Sequence, residues 1–392
     1  MKSMTYHEDK ILNKTFISIF IANSLMNLSQ QMTNSLVSKY AHHLGATATT
    51  IGIVVSMFTY TAIGFKLISA PALDAFNRKY ILMGAMLTMA LAYLGYGISN
   101  GIPVLMGARL LQGAGQAFTA TGSLALATDA LPKNKLGSGL GLFSMAQAVC
   151  QAIGPSIGLF LVSMLGYNVT FFIGSASMLF AALITLRIKA VNHVKRTFKI
   201  NFKNIIAKEA LLPAGIMMLL STAYCAVGSF LIIYATNMGV ESIGLFFTVY
   251  AATMLFTRPI IGKLSDKIGV WRVLLPALLC FSFAFLIISV ANNIYMFLLA
   301  AFVSAFGYGA CQPAIQTLCM KAVTAERRGA ASCTNYIGMD LGNLIGPILA
   351  GMAVETFGYS QMWRLMLIPV ILAFIIILGS KKAIERIENN YL

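Results

Sequence analysis

Two long runs without a charged side chain limit what this chain can fold into. Residues 136–186, between Lys135 and Arg187, are 51 positions free of Asp, Glu, Lys and Arg, and residues 273–320, between Arg272 and Lys321, are 48 more. Each run is interrupted only by a short polar bend, Gly166-Tyr167-Asn168 in the first and Asn292-Asn293 in the second. A helix needs roughly 20 apolar residues to cross a bilayer, so each run holds two spans. The rest of the chain agrees, with 10% charged and 58% apolar residues and a mean hydropathy of +0.80, against about 25% charged residues in a soluble domain. The same reading throughout gives twelve spans, near 16–40, 50–73, 80–98, 102–128, 138–164, 168–186, 210–236, 243–262, 272–291, 294–320, 330–354 and 361–380. The expected fold class is therefore an all-α membrane protein.

A formal charge of +16 would point to nucleic acid in a soluble domain, but the positions of the charges exclude that reading. Of the 28 Lys and Arg residues, 23 fall in the two tails and in alternate loops. This is the positive-inside pattern, with both termini in the cytoplasm of a plasma (inner) membrane protein. The charged stretch from Lys2 to Lys14 precedes no small-residue cleavage site, so the first span is expected to remain in the mature protein. Lys39 and Arg364 lie near outer helix ends, where long side chains snorkel; Lys66, Arg109 and Arg258 lie inside spans. The six cysteines sit in apolar stretches without a C-x-x-C pair and read as small packing residues. His42 and His43 are adjacent but lack further ligands, and no metal or cofactor is expected. Nothing resembles a nucleophile–base pair or a phosphate-binding loop, which argues against an enzyme.

Sliding the chain by 192 residues superimposes two copies. Lys66 meets Arg258, Asp74 meets Asp266, Gly115 meets Gly307, Gly154 meets Gly346, and Pro155 meets Pro347. The expected organisation is a six-helix half over 1–186, a basic linker over 187–209 with seven Lys and Arg residues between 187 and 208, and a second half over 210–392. The linker is suited to anionic lipid headgroups. Parallel repeats of this kind build substrate sites at the bilayer midplane in transporters.

Several segments carry a finer signal. Gly262-Lys-Leu-Ser-Asp266-Lys267-Ile-Gly269 closes the eighth span, and its first-half copy keeps Asp74, Arg78 and Lys79 but has Ala70 and Asn77 at the glycine positions. In the fourth span Arg109, Gln112 and Gln116 share one helical face, with Gly113 close by. The fifth span holds Gly154-Pro155 and Gly158, and the eleventh repeats the pattern from Gly342 to Gly351 around Gly346-Pro347. On these residues the chain resembles the major facilitator superfamily, and within it the twelve-helix drug/proton antiporter branch, over essentially its whole length. The resemblance implies two six-helix halves, a conformational latch at the loops following the second and eighth spans, and a contribution of Arg109 to proton coupling. An acidic residue ending one helix and basic residues starting the next can pin neighbouring helices, which assigns Asp74, Arg78, Asp266 and Lys267 to the latch; Lys66 and Arg258 either join it or snorkel as topological anchors. Proline breaks a helical hydrogen bond and glycine admits a close neighbour, so Gly154, Pro155, Gly346 and Pro347 form candidate hinges.

Asp340 lies about 15 Å into the eleventh span at 1.5 Å per residue and is a carboxylate near the midplane. Burial there raises a carboxyl's pKa, which fits a proton carrier, although a structural ion pair or a permanently protonated carboxyl would also keep an Asp at that depth. The first span places Asn27, Gln31 and Asn34 on one face with Asn23 a turn earlier, the tenth carries Tyr308, Gln312 and Gln316 around Pro313, and the fifth carries Gln147 and Gln151. In the family the first, fourth, seventh and tenth helices line a central cavity, so Asn27, Gln31, Asn34, Gln112, Gln116, Tyr308, Gln312 and Gln316 are candidate substrate contacts. The expected function is proton-coupled export of a small organic or amphipathic compound by a monomer; a proton-coupled importer or a flippase for lipid-like substrates is the alternative.

Overall fold

The computed structural model describes residues 12–132, 136–188, 206–324 and 327–389, and among these it contains helices and no strand. In chain order the helices are α1 (Lys14–His43), α2 (Ala48–Ala75), α3 (Arg78–Gly97), α4 (Ile102–Ala130), α5 (Leu136–Leu186), α6 (Leu211–Asn237), α7 (Gly244–Ile268), α8 (Val270–Val290), α9 (Ile294–Lys321), α10 (Arg328–Leu365), α11 (Leu367–Gly379) and α12 (Lys381–Asn389). Most of the expected linker falls outside the described residues.

The agreement in the number twelve hides a difference in detail. The fifth and sixth expected spans are one continuous element, α5, broken only at Gly166 (φ 79°, ψ 173°). The eleventh and the start of the twelfth are likewise joined in α10, broken at Gly358 (φ 80°, ψ 170°), and α11 completes the twelfth after a break at Met366. Gly166 and Gly358 are 192 residues apart, so the repeat extends to two of the positions where the backbone takes a positive φ that glycine allows. α12 adds an element beyond the last expected span. Among the described residues eight segments are long and apolar enough to cross a membrane, and two of these, Gly139–Leu186 and Ala330–Gly379, run for 48 and 50 residues, room for two crossings each. α1 and α4 fall below that apolarity because amides, hydroxyls and Arg109 interrupt them. With these two the described residues hold room for twelve spans.

The chain forms two compact units, one from residues 12–34 and 61–188 and the other from 35–60 and 206–389. The second unit therefore includes the end of α1 and the start of α2, although both come from the first sequence repeat. Small residues account for this. A Cβ added to Gly52 would lie 2.2 Å from the Pro347 carbonyl oxygen, and one added to Gly351 would lie 2.4 Å from the Ala48 carbonyl oxygen. The start of α2 and the middle of α10 thus touch backbone to backbone, as small residues permit between membrane helices. Thr49 donates its amide N–H to Glu355 at 3.0 Å and its hydroxyl at 2.7 Å, and Ser56 donates to the Leu344 carbonyl at 2.7 Å.

Within each unit glycines set the main crossings. A Cβ on Gly115 would lie 2.8 Å from the Ala85 carbonyl oxygen, bringing α4 onto α3, and one on Gly307 would lie 2.6 Å from Phe281 Cα, bringing α9 onto α8. In the second unit Gly338, Gly342 and Gly346 form a stripe on α10 whose added Cβ atoms would meet the carbonyl oxygens of Ala214, Met218 and Thr222 on α6 at 2.3–2.4 Å.

Candidate functional site

In the first unit, the polar face of α4 meets α1 and α3 in one network. Arg109 is 3% exposed and Gln112 fully buried. The Arg109 guanidinium donates through Nη1 to Asn34 Oδ1 at 3.0 Å and to Gln112 Oε1 at 2.8 Å. Gln112 Nε2 in turn donates to Asn34 Oδ1 at 2.8 Å, and the Tyr96 hydroxyl donates to Gln112 Oε1 at 2.5 Å. The cation is thus held by side-chain amides, which fix its position in a low-dielectric interior where a loose charge would be costly. The sequence pattern gave Arg109, Gln112 and Asn34; it did not give Tyr96 or its stacked neighbour Tyr93, whose spacing on α3 is that of ordinary core residues.

One turn along α4, the buried Gln116 Oε1 has no hydrogen-bond partner among the described residues, and the same is true of Asn23 Nδ2 on α1. Asn27 is occupied locally, donating to the Asn23 carbonyl at 2.8 Å and to Asn23 Oδ1 at 3.0 Å. Gln31 lies where α5 crosses α1, since a Cβ on Gly154 would sit 2.6 Å from Gln31 Cβ and one on Gly158 would sit 2.8 Å from the Met32 carbonyl oxygen. Pro155 follows Gly154 inside α5 at this crossing, and Gly346, which precedes Pro347 inside α10, occupies the equivalent place against α6, while the Pro347 carbonyl faces Gly52 of α2. Gln147 is half-buried and Gln151 exposed on α5.

At the loop joining α2 to α3, Arg78 Nη1 donates to both carboxylate oxygens of Asp129, each at 2.9 Å, with the two side chains 17% and 21% exposed. Asp129 ends α4 and was not among the residues singled out from the sequence, because nothing in a linear pattern joins two positions 51 apart. Asn77 caps α3 by accepting from the Lys79 N–H at 3.1 Å, and Lys79 Nζ donates to the Leu186 carbonyl at 2.7 Å. Lys66 is exposed on α2, and Asp74 lies in the last turn of that helix.

The second copy of this loop is built differently. Gly269, at the position of Asn77, has φ 92° and no side chain to cap with, and Glu388 of α12 accepts from the Val270 N–H in its place. Lys381 Nζ sits 4.5 Å from the Trp271 ring centroid, a cation–π contact, and Ile384 is fully buried. α12 thereby closes the start of α8. Asp266 and Lys267 lie in the last turn of α7, with Lys267 exposed.

Asp340 is 6% exposed on α10, twelve residues from the start of that helix. On the neighbouring α9, Gln312 is half-buried, with Nε2 3.8 Å from Met339 Sδ, and Gln316 is half-buried a turn further on. Tyr308 belongs to an aromatic cluster. Its ring lies parallel to Tyr224 of α6 at 4.0 Å between centroids, and Tyr250 of α7 lies 5.8 Å from Tyr224. Sequence reasoning missed Tyr224 and Tyr250, since single tyrosines in apolar helices look like core. Among the described residues no group of three His, Cys, Asp or Glu could hold a metal ion.

Comparison with known proteins bears on what such a molecule is. The family model described as Major Facilitator Superfamily matches residues 19–240 and 211–386. The chain belongs to that superfamily. It is 24% identical over 334 residues to the multi-drug resistance efflux pump PmrA of Streptococcus pneumoniae serotype 4, covering 80% of this chain and 81% of PmrA. It is also 24% identical over 371 residues to the multidrug resistance protein MdtG of Salmonella arizonae, covering 90% of each. Among solved structures, a mutant of the nucleoside transporter NupG superposes with a TM-score of 0.81 at 12% identity, covering 93% of this chain and 99% of that one. At that identity the likeness is one of fold.

As a member of the Major Facilitator Superfamily the chain is an integral, multi-pass membrane transporter of small molecules, and not an enzyme. Its two polar centres therefore have a context. The Arg109 network lies in one unit and joins the first and fourth spans, which the resemblance assigned to a substrate cavity, to α3, which it did not; Asp340 lies in the other unit, on the eleventh span, with its neighbour Met339 against Gln312 of the tenth.

Proposed function

We propose that this transporter exports a small organic or amphipathic compound in exchange for protons, by alternating access between its two halves. The observation that carries the reading is Asp340, a carboxyl 6% exposed within a membrane-spanning helix. Such a group is costly to keep charged and is a functional-site hypothesis by default. Arg109, held by amides in the other unit, is the second residue to which this reading gives a part in coupling. The relatives PmrA and MdtG, named for multidrug efflux and resistance, favour export over uptake.

In this reading the latch at the ends of α2 and α7 consists of Asp74, Arg78, Asp266 and Lys267, with Lys66 alongside and Asp129 as the partner of Arg78. Gly154, Pro155, Gly346 and Pro347 act as hinges, because each Gly–Pro pair lies where two helices touch. The amides of Asn27, Gln31, Asn34, Gln112, Gln116, Gln312 and Gln316, together with Tyr308, provide donors and acceptors for a moderately polar solute. The chain works as a monomer in the plasma (inner) membrane with both termini in the cytoplasm, the placement that its basic loops favour. The test is proton flux in vesicles containing the purified protein. Addition of a transported compound should discharge an imposed pH gradient, and a set of aromatic and amphipathic compounds that all move without any proton flux would overturn the antiport reading.

A further inference from the structure

Arg258 has an unusual setting for a cation. It lies on α7 seven residues inside the end of the span Glu241–Ser265, about 10 Å at 1.5 Å per residue. It is exposed, and among the described residues it makes no hydrogen bond or ion pair. α6 and α9 contain no carboxylate, and the single one on α7, Asp266, is eight residues away. The side chain does not point with the most exposed face of its helix, which carries Phe256 (75%) and Ile260 (64%). At 100° per residue it falls instead beside Ala251 and Met254, both buried, and follows Tyr250 and Met254 at four-residue intervals. A cation at this depth that avoids lipid needs a partner.

What lies next to it is aromatic. The stripe of α7 that ends at Arg258 runs back through Met254 to Tyr250, whose ring lies 5.8 Å from that of Tyr224 on α6. Tyr250 and Tyr308 are 5% and 6% exposed, whereas Tyr224 is the partly open member of the cluster. Behind them Phe281 lies 5.6 Å from Tyr308 and 6.5 Å from Tyr224. The absence of a side chain at Gly309 admits Met254 and the Tyr250 hydroxyl, whose nearest atoms lie 2.8 and 3.7 Å from where a Cβ would be. Three helices thus bring three tyrosine rings together, Tyr224 stacked on Tyr308 and tilted against Tyr250, with Arg258 one turn beyond Met254 on the α7 side of the cluster. Aromatic faces take another ring by stacking, and a guanidinium binds a planar anion through two parallel N–H donors.

We propose that Tyr224, Tyr250, Tyr308 and Arg258 form a subsite for an aromatic ring carrying an anionic group, such as an aryl carboxylate. The inference rests on the chain being a carrier of small organic compounds and narrows the chemistry of what it carries. The test is equilibrium binding to the purified full-length protein of three probes with the same ring: 2-naphthoate, 2-naphthol and 2-naphthylmethylammonium. Wild type should bind naphthoate at least tenfold more tightly than either of the others. Arg258→Gln should weaken naphthoate at least tenfold and naphthol less than twofold, Arg258→Lys should keep part of the preference, and Tyr224→Leu should weaken all three. An unchanged melting temperature for Arg258→Gln separates lost recognition from lost folding. Unchanged naphthoate affinity in Arg258→Gln, a preference of the wild type for the ammonium probe, or binding of none of the three would overturn the proposal. No gradient is present in this experiment, so a failure of proton coupling in vesicles would count against the antiport reading and leave the naphthoate preference standing.

Discussion

Arg78 and Asp129 show how much a single pair can organise, since one guanidinium nitrogen reaches both carboxylate oxygens at 2.9 Å and ties the start of α3 to the end of α4. Both side chains are about one-fifth exposed, so the pair should contribute modestly. A double-mutant cycle with Arg78→Gln and Asp129→Asn is expected to give a coupling of about 1 kcal/mol in thermal unfolding, and additive effects would show that the ion pair is incidental. At this scale the sequence was informative where a polar group had no business in an apolar helix. Arg109, Gln112 and Asn34 stood out because charges and amides are costly in a span, and the structure joins them directly. Tyr96 and Tyr93 did not stand out, because a tyrosine in a membrane helix is common and only its hydroxyl's partner reveals a role. Asp129 and Glu388 could not be read either: each acts on a residue more than fifty positions away, at a loop whose own sequence suggested a self-contained latch.

Helices here are positioned by glycine as much as by any polar contact. At Gly342 of α10 an added Cβ would lie 2.4 Å from the Met218 carbonyl oxygen and 2.8 Å from the Thr222 amide nitrogen, both backbone atoms that cannot move aside alone, whereas at Gly107 of α4 nothing lies within 4 Å. Gly342→Ala should therefore destabilise the protein by about 1–3 kcal/mol through overpacking. Gly107→Ala should be neutral or stabilising by up to about 1 kcal/mol, because alanine is the better helix former. Melting temperatures of the two variants in the same detergent decide the matter, and equal shifts would refute the close crossing of α6 and α10. The lengths of most spans were legible to within a few residues, since each apolar run ends at a charge or a bend. The continuity of α5 through Gly166 and of α10 through Gly358 was not, because a polar bend and a one-residue break in a helix look alike until φ is known.

For the whole molecule, the repeat of 192 residues was plain in the sequence, and the positions of Gly166 and Gly358 carry it to the backbone. The assignment of residues 35–60 to the second unit was hidden, because it depends on Gly52 meeting Pro347 and Gly351 meeting Ala48 across almost the full chain. The copies have also diverged in chemistry. Where the first repeat has Gln112 and Gln116, the second has Ser304 and Tyr308, and where the second has Asp340 the first has Ala148. The proposed antiport draws on this asymmetry, assigning a held cation to Arg109 in one unit and the proton-linked step to Asp340 in the other. The most direct test compares wild type with Asp340→Asn in vesicles, measuring substrate binding and pH-driven substrate movement on the same preparations. Asparagine keeps the size and hydrogen bonding of the side chain but cannot titrate. The variant should bind substrate within a fewfold of wild type and exchange it across the membrane, yet lose accumulation driven by the pH gradient; full pH-driven accumulation by Asp340→Asn would contradict the account.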